Sequence, residues 1–145
     1  MNFNYGFILE STAKKIKLAL QRKFNEHGMD ITVDQWVVLL ELHKHGTQNQ
    51  VTLCELCCKD APTITRIIEL LVKKELVARE SCKEDRRKFN ISLSKKGKAM
   101  VQKILPIIIE FRKKGWGSLT EKDVQHLERI TKKIQDNLNG QISEN

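Results

Sequence analysis

Apolar residues recur at three- and four-residue steps along most of this chain, the spacing that puts them on one face of a helix. Phe7, Ile8, Leu9, Ala13, Ile16, Leu20 and Phe24 keep that step, and Gly28 follows at a helix-ending position, so a long first helix is expected over about Tyr5 to His27. Thr32 with Gln35 forms a capping box, after which Trp36, Leu39, Leu40 and His43 mark a second helix that stops at Gly46. Thr52 with Glu55 repeats the capping signature, with room for only a short third helix before Asp60. Asp60 then caps a fourth helix carrying Pro62 in its first turn, where a missing N–H costs little.

On a helical wheel Ile64, Ile67, Ile68 and Leu71 of that fourth helix share one arc. The opposite arc holds Pro62, Arg66, Glu69 and Lys73, flanked by Thr63 and Thr65. Past Leu76 the period drops to two. Phe89, Ile91 and Leu93 alternate with Lys88, Asn90 and Ser92, Val77 to Cys82 supplies a partner strand, and Lys83 to Arg87 makes the connection. A hairpin this small needs a helix to pack on. Ser94 caps a fifth helix running to about Lys114, with Pro106 inside it. Thr120 and Asp123 begin a sixth, marked by Val124, Leu127, Ile130, Ile134 and Leu138 before Gly140. A short helix, a tight turn and an amphipathic helix with a polar outer face have helix-turn-helix spacing.

Charge sharpens the picture through its placement. Of the net +8, residues 59–114 carry sixteen Lys plus Arg against seven Asp plus Glu, and the rest of the chain is close to neutral. A basic block on one segment is the electrostatic footprint of a phosphate-binding surface. At 145 residues there is room for one domain, and no internal repeat or flexible linker divides it. No apolar run approaches membrane-spanning length. The first fifteen residues lack a basic stretch ahead of a continuous apolar one, so a cytoplasmic location is expected. Four scattered histidines, no glycine-rich phosphate loop and no nucleophile motif point away from an enzyme, and nothing calls for a cofactor.

Four strings in order, Lys59-Asp60-Ala61-Pro62-Thr63-Ile64-Thr65-Arg66, Leu71-Val72-Lys73-Lys74-Glu75-Leu76-Val77, Asp85-Arg86-Arg87 and Leu93-Ser94-Lys95-Lys96-Gly97, resemble the MarR family of winged helix-turn-helix regulators. The resemblance covers nearly the whole chain. It implies a mainly α fold: a winged helix-turn-helix lobe over residues 32–93 with a two-stranded β wing, and dimerisation helices over 5–27 and 94–140, all within one domain. It implies a homodimer that binds a pseudo-palindromic operator on double-stranded DNA, as a ligand- or stress-responsive repressor. By position, Pro62, Thr63 and Arg66 would face major-groove base edges, and Arg87 at the wing tip would enter the minor groove. Arg86, Lys88 and Lys59 would contact phosphates, with Thr65 a cap or phosphate contact and Asp85 orienting the wing arginines through an ion pair. Guanidinium chemistry agrees with these roles, since arginine bonds guanine O6 and N7 bidentately and suits a narrow, electronegative minor groove. Two positions depart from the family pattern. Ala61 replaces an often basic residue, and Glu75 stands where a helix-ending glycine is usual.

Alternatives stay open for two groups of residues. Cys54, Cys57 and Cys58 lie near one face of the short helix and Cys82 lies on the first wing strand. Core packing, thiol redox sensing and a metal site completed by His43 or His45 are the three readings, with packing favoured because free cysteine is among the most buried residue types. Phe24, Trp36 and Phe111 either line the crevice where relatives of this kind bind small phenolic or lipophilic effectors, or are ordinary core. A winged-helix module that binds protein rather than DNA is the remaining rival. The arginine-bearing outer face of the fourth helix and the basic wing discriminate against it.

Overall fold

The computed structural model describes residues 4–142, which fall into two compact units, one extending to Phe111 and the other beginning at Arg112. The order of elements is α1 (Tyr5–Glu26), α2 (Val33–His45), β1 (Gln48–Asn49), α3 (Gln50–Leu56), α4 (Ala61–Lys73), β2 (Val77–Ser81), β3 (Phe89–Leu93), α5 (Lys95–Trp116) and α6 (Glu121–Ile142). No described helix is long and apolar enough to cross a membrane.

The core of the first unit is where the helical periodicities converge. Leu20 and Phe24 of α1, Trp36, Val38, Leu39 and Leu42 of α2, Leu53 of α3, and Ile64, Ile67, Ile68 and Leu71 of α4 are buried together. Leu76, Val77 and Ile91 join them from the sheet, as do Val101, Ile104, Ile107 and Ile108 from α5. In the second unit, α6 begins with a reciprocal cap in which Asp123 N–H donates to Thr120 Oγ1 and Thr120 N–H donates to the Asp123 carboxylate. Its Val124, Leu127, Ile130, Ile134 and Leu138 are exposed. The helix runs past Gly140 to Ile142, two residues beyond the sequence expectation.

Two boundaries differ from the sequence reading. The third helix is capped by Asn49, whose side chain accepts from Thr52 N–H at 2.7 Å, so Thr52 lies inside the first turn instead of before it. Asn49 sits in extended backbone because it ends a strand, and that strand is the second difference: the sheet has three strands in the order β1-β3-β2, not two. β1 pairs antiparallel with β3 through Gln48 opposite Ile91 and Asn49 opposite Asn90. Two residues are too few to display alternation, so no period-two signal could announce it. On the other edge Val77 faces Leu93, Arg79 faces Ile91 and Ser81 faces Phe89. Arg79 therefore shares the inner face with the apolar residues, and its guanidinium lies 3.8 Å from the centre of the Phe89 ring.

Three helices end in the same way. After α1, α3 and α4 a residue with positive φ follows the C-cap, namely Gly28 (φ 65°), Cys58 (φ 51°) and Glu75 (φ 61°). In each case the next amide reaches back to the carbonyl five residues earlier: Met29 to Phe24, Lys59 to Cys54 and Leu76 to Leu71. Only the first uses the residue type that tolerates this conformation without cost. Glu75→Gly should therefore raise stability by up to about 1 kcal/mol. The substitution also removes an exposed ion pair with Lys96 at 3.6 Å, which is worth little. A thermal melt no higher than the wild type's would show that the left-handed turn carries no strain.

Candidate nucleic-acid interface

α3 and α4 are joined by a turn of four residues, Cys57 to Asp60. Asp60 accepts from Thr63 N–H at 2.8 Å, fixing the first turn of α4. Hydrogen bonds from Thr63, aided by the charges of Arg66 and Lys59, hold this exposed carboxyl below its usual range. With Ile64, Ile67, Ile68 and Leu71 buried, the outward face of α4 presents Pro62, Arg66, Glu69 and Lys73 beside Thr63. Among the described residues the Arg66 side chain makes no hydrogen bond or ion pair, and it pairs with neither Glu69 nor Glu55. Its five donors are left to an outside partner.

The wing tip is built by Asp85 in a way the sequence reading did not foresee. The Asp85 carboxylate accepts from Arg87 N–H at 3.0 Å, while its carbonyl accepts from Lys88 N–H at 3.0 Å. Among the described residues no ion pair joins Asp85 to either arginine. The carboxylate folds the turn through the backbone, an Asx-turn, and leaves the guanidinium groups of Arg86 and Arg87 free of it. Arg86, Arg87 and Lys88 are all exposed.

Two other expected contacts are engaged within the protein. Thr65 Oγ1 donates to Ala61 O at 2.9 Å and accepts from Gln50 Nε2 at 2.7 Å, so it ties α4 to the start of α3. Lys59 Nζ donates to Asp34 at 2.8 Å and its side chain is only 19% exposed. Asp34 also accepts from Lys17 of α1 at 2.8 Å. Partial burial pushes the Asp34 carboxyl up, but hydrogen bonds from Lys17 and Lys59, with their charges, outweigh it and bring it below the ordinary value.

Asn49, Gln50, Val51 and Arg79, which sequence reasoning passed over, meet the wing residues behind the wing. A cavity of about 240 Å³ is lined by Asn49, Gln50, Val51, Cys54 and Ala61 on the helical side and by Arg79, Arg87, Lys88 and Phe89 on the wing. Among the described residues, Gln50 Oε1 and Arg79 Nε find no hydrogen-bond partner although both are buried. No signal in the sequence marked Arg79, because an arginine on an alternating strand reads as an outward-facing residue.

The aromatic candidates lie elsewhere. Phe24 is 0% exposed and Trp36 is 3% exposed, and they meet edge to face at 6.5 Å, so both rings are spent on the core and neither lines the cavity behind the wing. Phe111 is half-buried against the same core. Of the four free cysteines, Cys57 is buried and Cys58 exposed, with Cys54 and Cys82 between. Burial, with a further push from Glu41, raises the Cys57 thiol to about 11, which keeps it protonated and unreactive at neutral pH. Among the described residues no group of three or more His, Cys, Asp or Glu side chains is placed to hold a metal ion.

Residues 31–89, the segment from the entry to α2 through the wing tip, match the MarR family model. The chain is also 31% identical to a Listeria innocua Clip11262 protein of unknown function, over 91% of each chain with a TM-score of 0.68. The chain belongs to the MarR family. MarR-family proteins are DNA-binding transcription regulators with a winged-helix fold. The fold is also that of S. aureus MepR in a DNA complex (TM-score 0.83, 22% identity, 94% of this chain and 99% of that one). It recurs in Bordetella bronchiseptica BpsR, whose DNA binding is regulated by 6-hydroxynicotinic acid (TM-score 0.80, 23% identity, 90% and 97%). As a MarR-family regulator, this chain carries Arg66 and its wing arginines on the helix and the wing of the winged-helix fold.

Proposed function

We propose that this MarR-family regulator is a homodimeric repressor that reads a pseudo-palindromic operator with α4 in the major groove and the wing in the adjacent minor groove. The observation that carries the reading is the free Arg66 guanidinium on the outer face of a helix whose inner face is locked into the core. Pro62 and Thr63 lie beside it for base-edge contact, Arg87 is the minor-groove probe, and Arg86 and Lys88 meet phosphates. Exposed apolar residues on α1 (Phe7, Ile8, Leu9, Leu18) and the Val124 to Leu138 stripe on α6 support dimerisation through those helices. Regulation in the cytoplasm by a small molecule fits the cavity behind the wing better than Phe24 and Trp36. Arg79, Arg87 and Lys88 would attract an anionic effector there, and its occupancy would compete for Arg87. Thiol sensing through Cys57 is disfavoured by its protonated, buried state.

Arg87→Ala tests the wing. Neutralising a groove contact on each of the two wings should weaken operator binding and reduce the steepness of log affinity against log salt by about two units per dimer. Titrations that superimpose on those of the wild type would take the wing out of the interface.

A further inference from the structure

Both ends of α4 are fastened to one short segment. At the N-terminal end, Lys59, the residue before the Asp60 cap, reaches Asp34 at 2.8 Å. At the C-terminal end Lys74, the C-cap, donates to Asp30 O at 2.9 Å and to Gln35 Oε1 at 3.1 Å. The acceptors all lie within residues 30–35. That segment is in turn held to α1: Lys17 donates to Asp34, Gln21 Nε2 donates to Ile31 O at 3.1 Å, and Val33 N–H donates to Gln21 Oε1 at 3.0 Å. Gln35 is 4% exposed and also accepts from Thr32 N–H, so the capping box of α2 and the anchor of α4 share one amide oxygen.

We infer that Lys59 and Lys74 are positioning residues that pin α4 to the 30–35 segment, and that through this segment α1 sets where the recognition helix stands. This rests on the DNA-binding reading above, and it removes Lys59 from the phosphate contacts that the family resemblance assigned to it. The geometry favours a strut over a contact. A lysine side chain that is only 19% exposed and already spends a short charge-assisted bond on Asp34 has little to offer a phosphate. The carboxylate between two lysines joins α1 to the helix-turn-helix at the point where a small displacement would be felt along all of α4. Segment 30–35 is thus the path by which a change in α1 reaches the DNA-reading surface.

The two roles for Lys59 separate cleanly in solution. Binding is measured by fluorescence anisotropy on two duplexes, a genomic fragment selected by the wild-type protein and a scrambled duplex of equal length, over a range of salt. A strut predicts that Lys59→Met and Asp34→Asn each reduce the ratio of specific to scrambled affinity by roughly tenfold, the factor a charge-assisted hydrogen bond is worth. The salt slope stays unchanged, the double variant is no worse than either single one, and Lys59→Arg, which still reaches the carboxylate, restores the ratio. Lys74→Met should lower the ratio in the same way, which keeps the test valid if one variant melts too early to assay. A phosphate contact predicts a slope lower by about two units per dimer with Lys59→Met, equal weakening on both duplexes and no effect of Asp34→Asn. That pattern, or an Asp34→Asn variant that binds like the wild type, overturns the proposal. A wild-type protein that binds no duplex refutes the DNA reading itself and takes this inference with it.

Discussion

Arg66→Ala is expected to cost about 1 to 3 kcal/mol on the cognate operator while leaving affinity for unrelated DNA nearly unchanged. The loss is selective because the side chain's one other role is a solvent-screened charge effect on the exposed Asp60 carboxyl. Arg66 forms no bond with any described residue and lies opposite the buried arc of α4. Removing it should leave the thermal melt where it is and strip the base-specific part of binding, since a guanidinium that bonds a base edge contributes only where that base is present. The check is a pair of titrations on operator and scrambled duplex beside a melt. Equal weakening on both would make Arg66 a phosphate contact, and no change on either would remove it from the interface.

Gly97→Ala should have the largest effect on stability, about 3 kcal/mol or a fall of roughly 10 °C in the midpoint. A Cβ at position 97 would lie 2.0 Å from the carbonyl oxygen of Leu76 and 3.3 Å from Leu93 Cδ2. Leu76 O cannot retreat freely, because it accepts from Ser94 N–H at 3.1 Å where the chain enters α5. The obstacle is backbone, so no rotamer change relieves it. Ser94 seals the same corner, its Oγ donating to Glu75 O at 2.6 Å and accepting from Gly97 N–H at 2.9 Å. A Gly97→Ala protein that melts with the wild type would mean that α5 does not approach the turn into β2 this closely.

How much of the fold and the interface is legible in the sequence depends on whether a residue's role is announced by its neighbours along the chain. α4 is legible because four isoleucine and leucine positions fix its buried arc and thereby its outer one. Its cap at Asp60 and the caps at Thr32 and Thr120 are legible because each bonds a residue three positions on. β1 is not, because two residues have no period. The partners of Lys59, Thr65 and Arg79 are not legible, for one shared reason. Each is a polar residue whose partner lies beyond its own element: Asp34 for Lys59, Gln50 for Thr65, Phe89 for Arg79. Spacing on a wheel tells which way a side chain leaves the helix, and not whether another element arrives there to bind it. Asp85 shows the opposite case, a local interaction read with the wrong donor. An aspartate two residues before an arginine can bond its backbone amide as readily as its guanidinium, and a turn favours the former.

The central claim is that α4 reads base sequence. It is tested most directly by passing sheared genomic DNA from the organism of origin over the purified wild-type protein and over Arg66→Ala at physiological salt, then sequencing what is retained. The wild type should retain a small set of fragments sharing a pseudo-palindromic motif, and the variant should lose the motif while still holding DNA. Retention of a random sample by the wild-type protein, or the same motif recovered with Arg66→Ala, would contradict it.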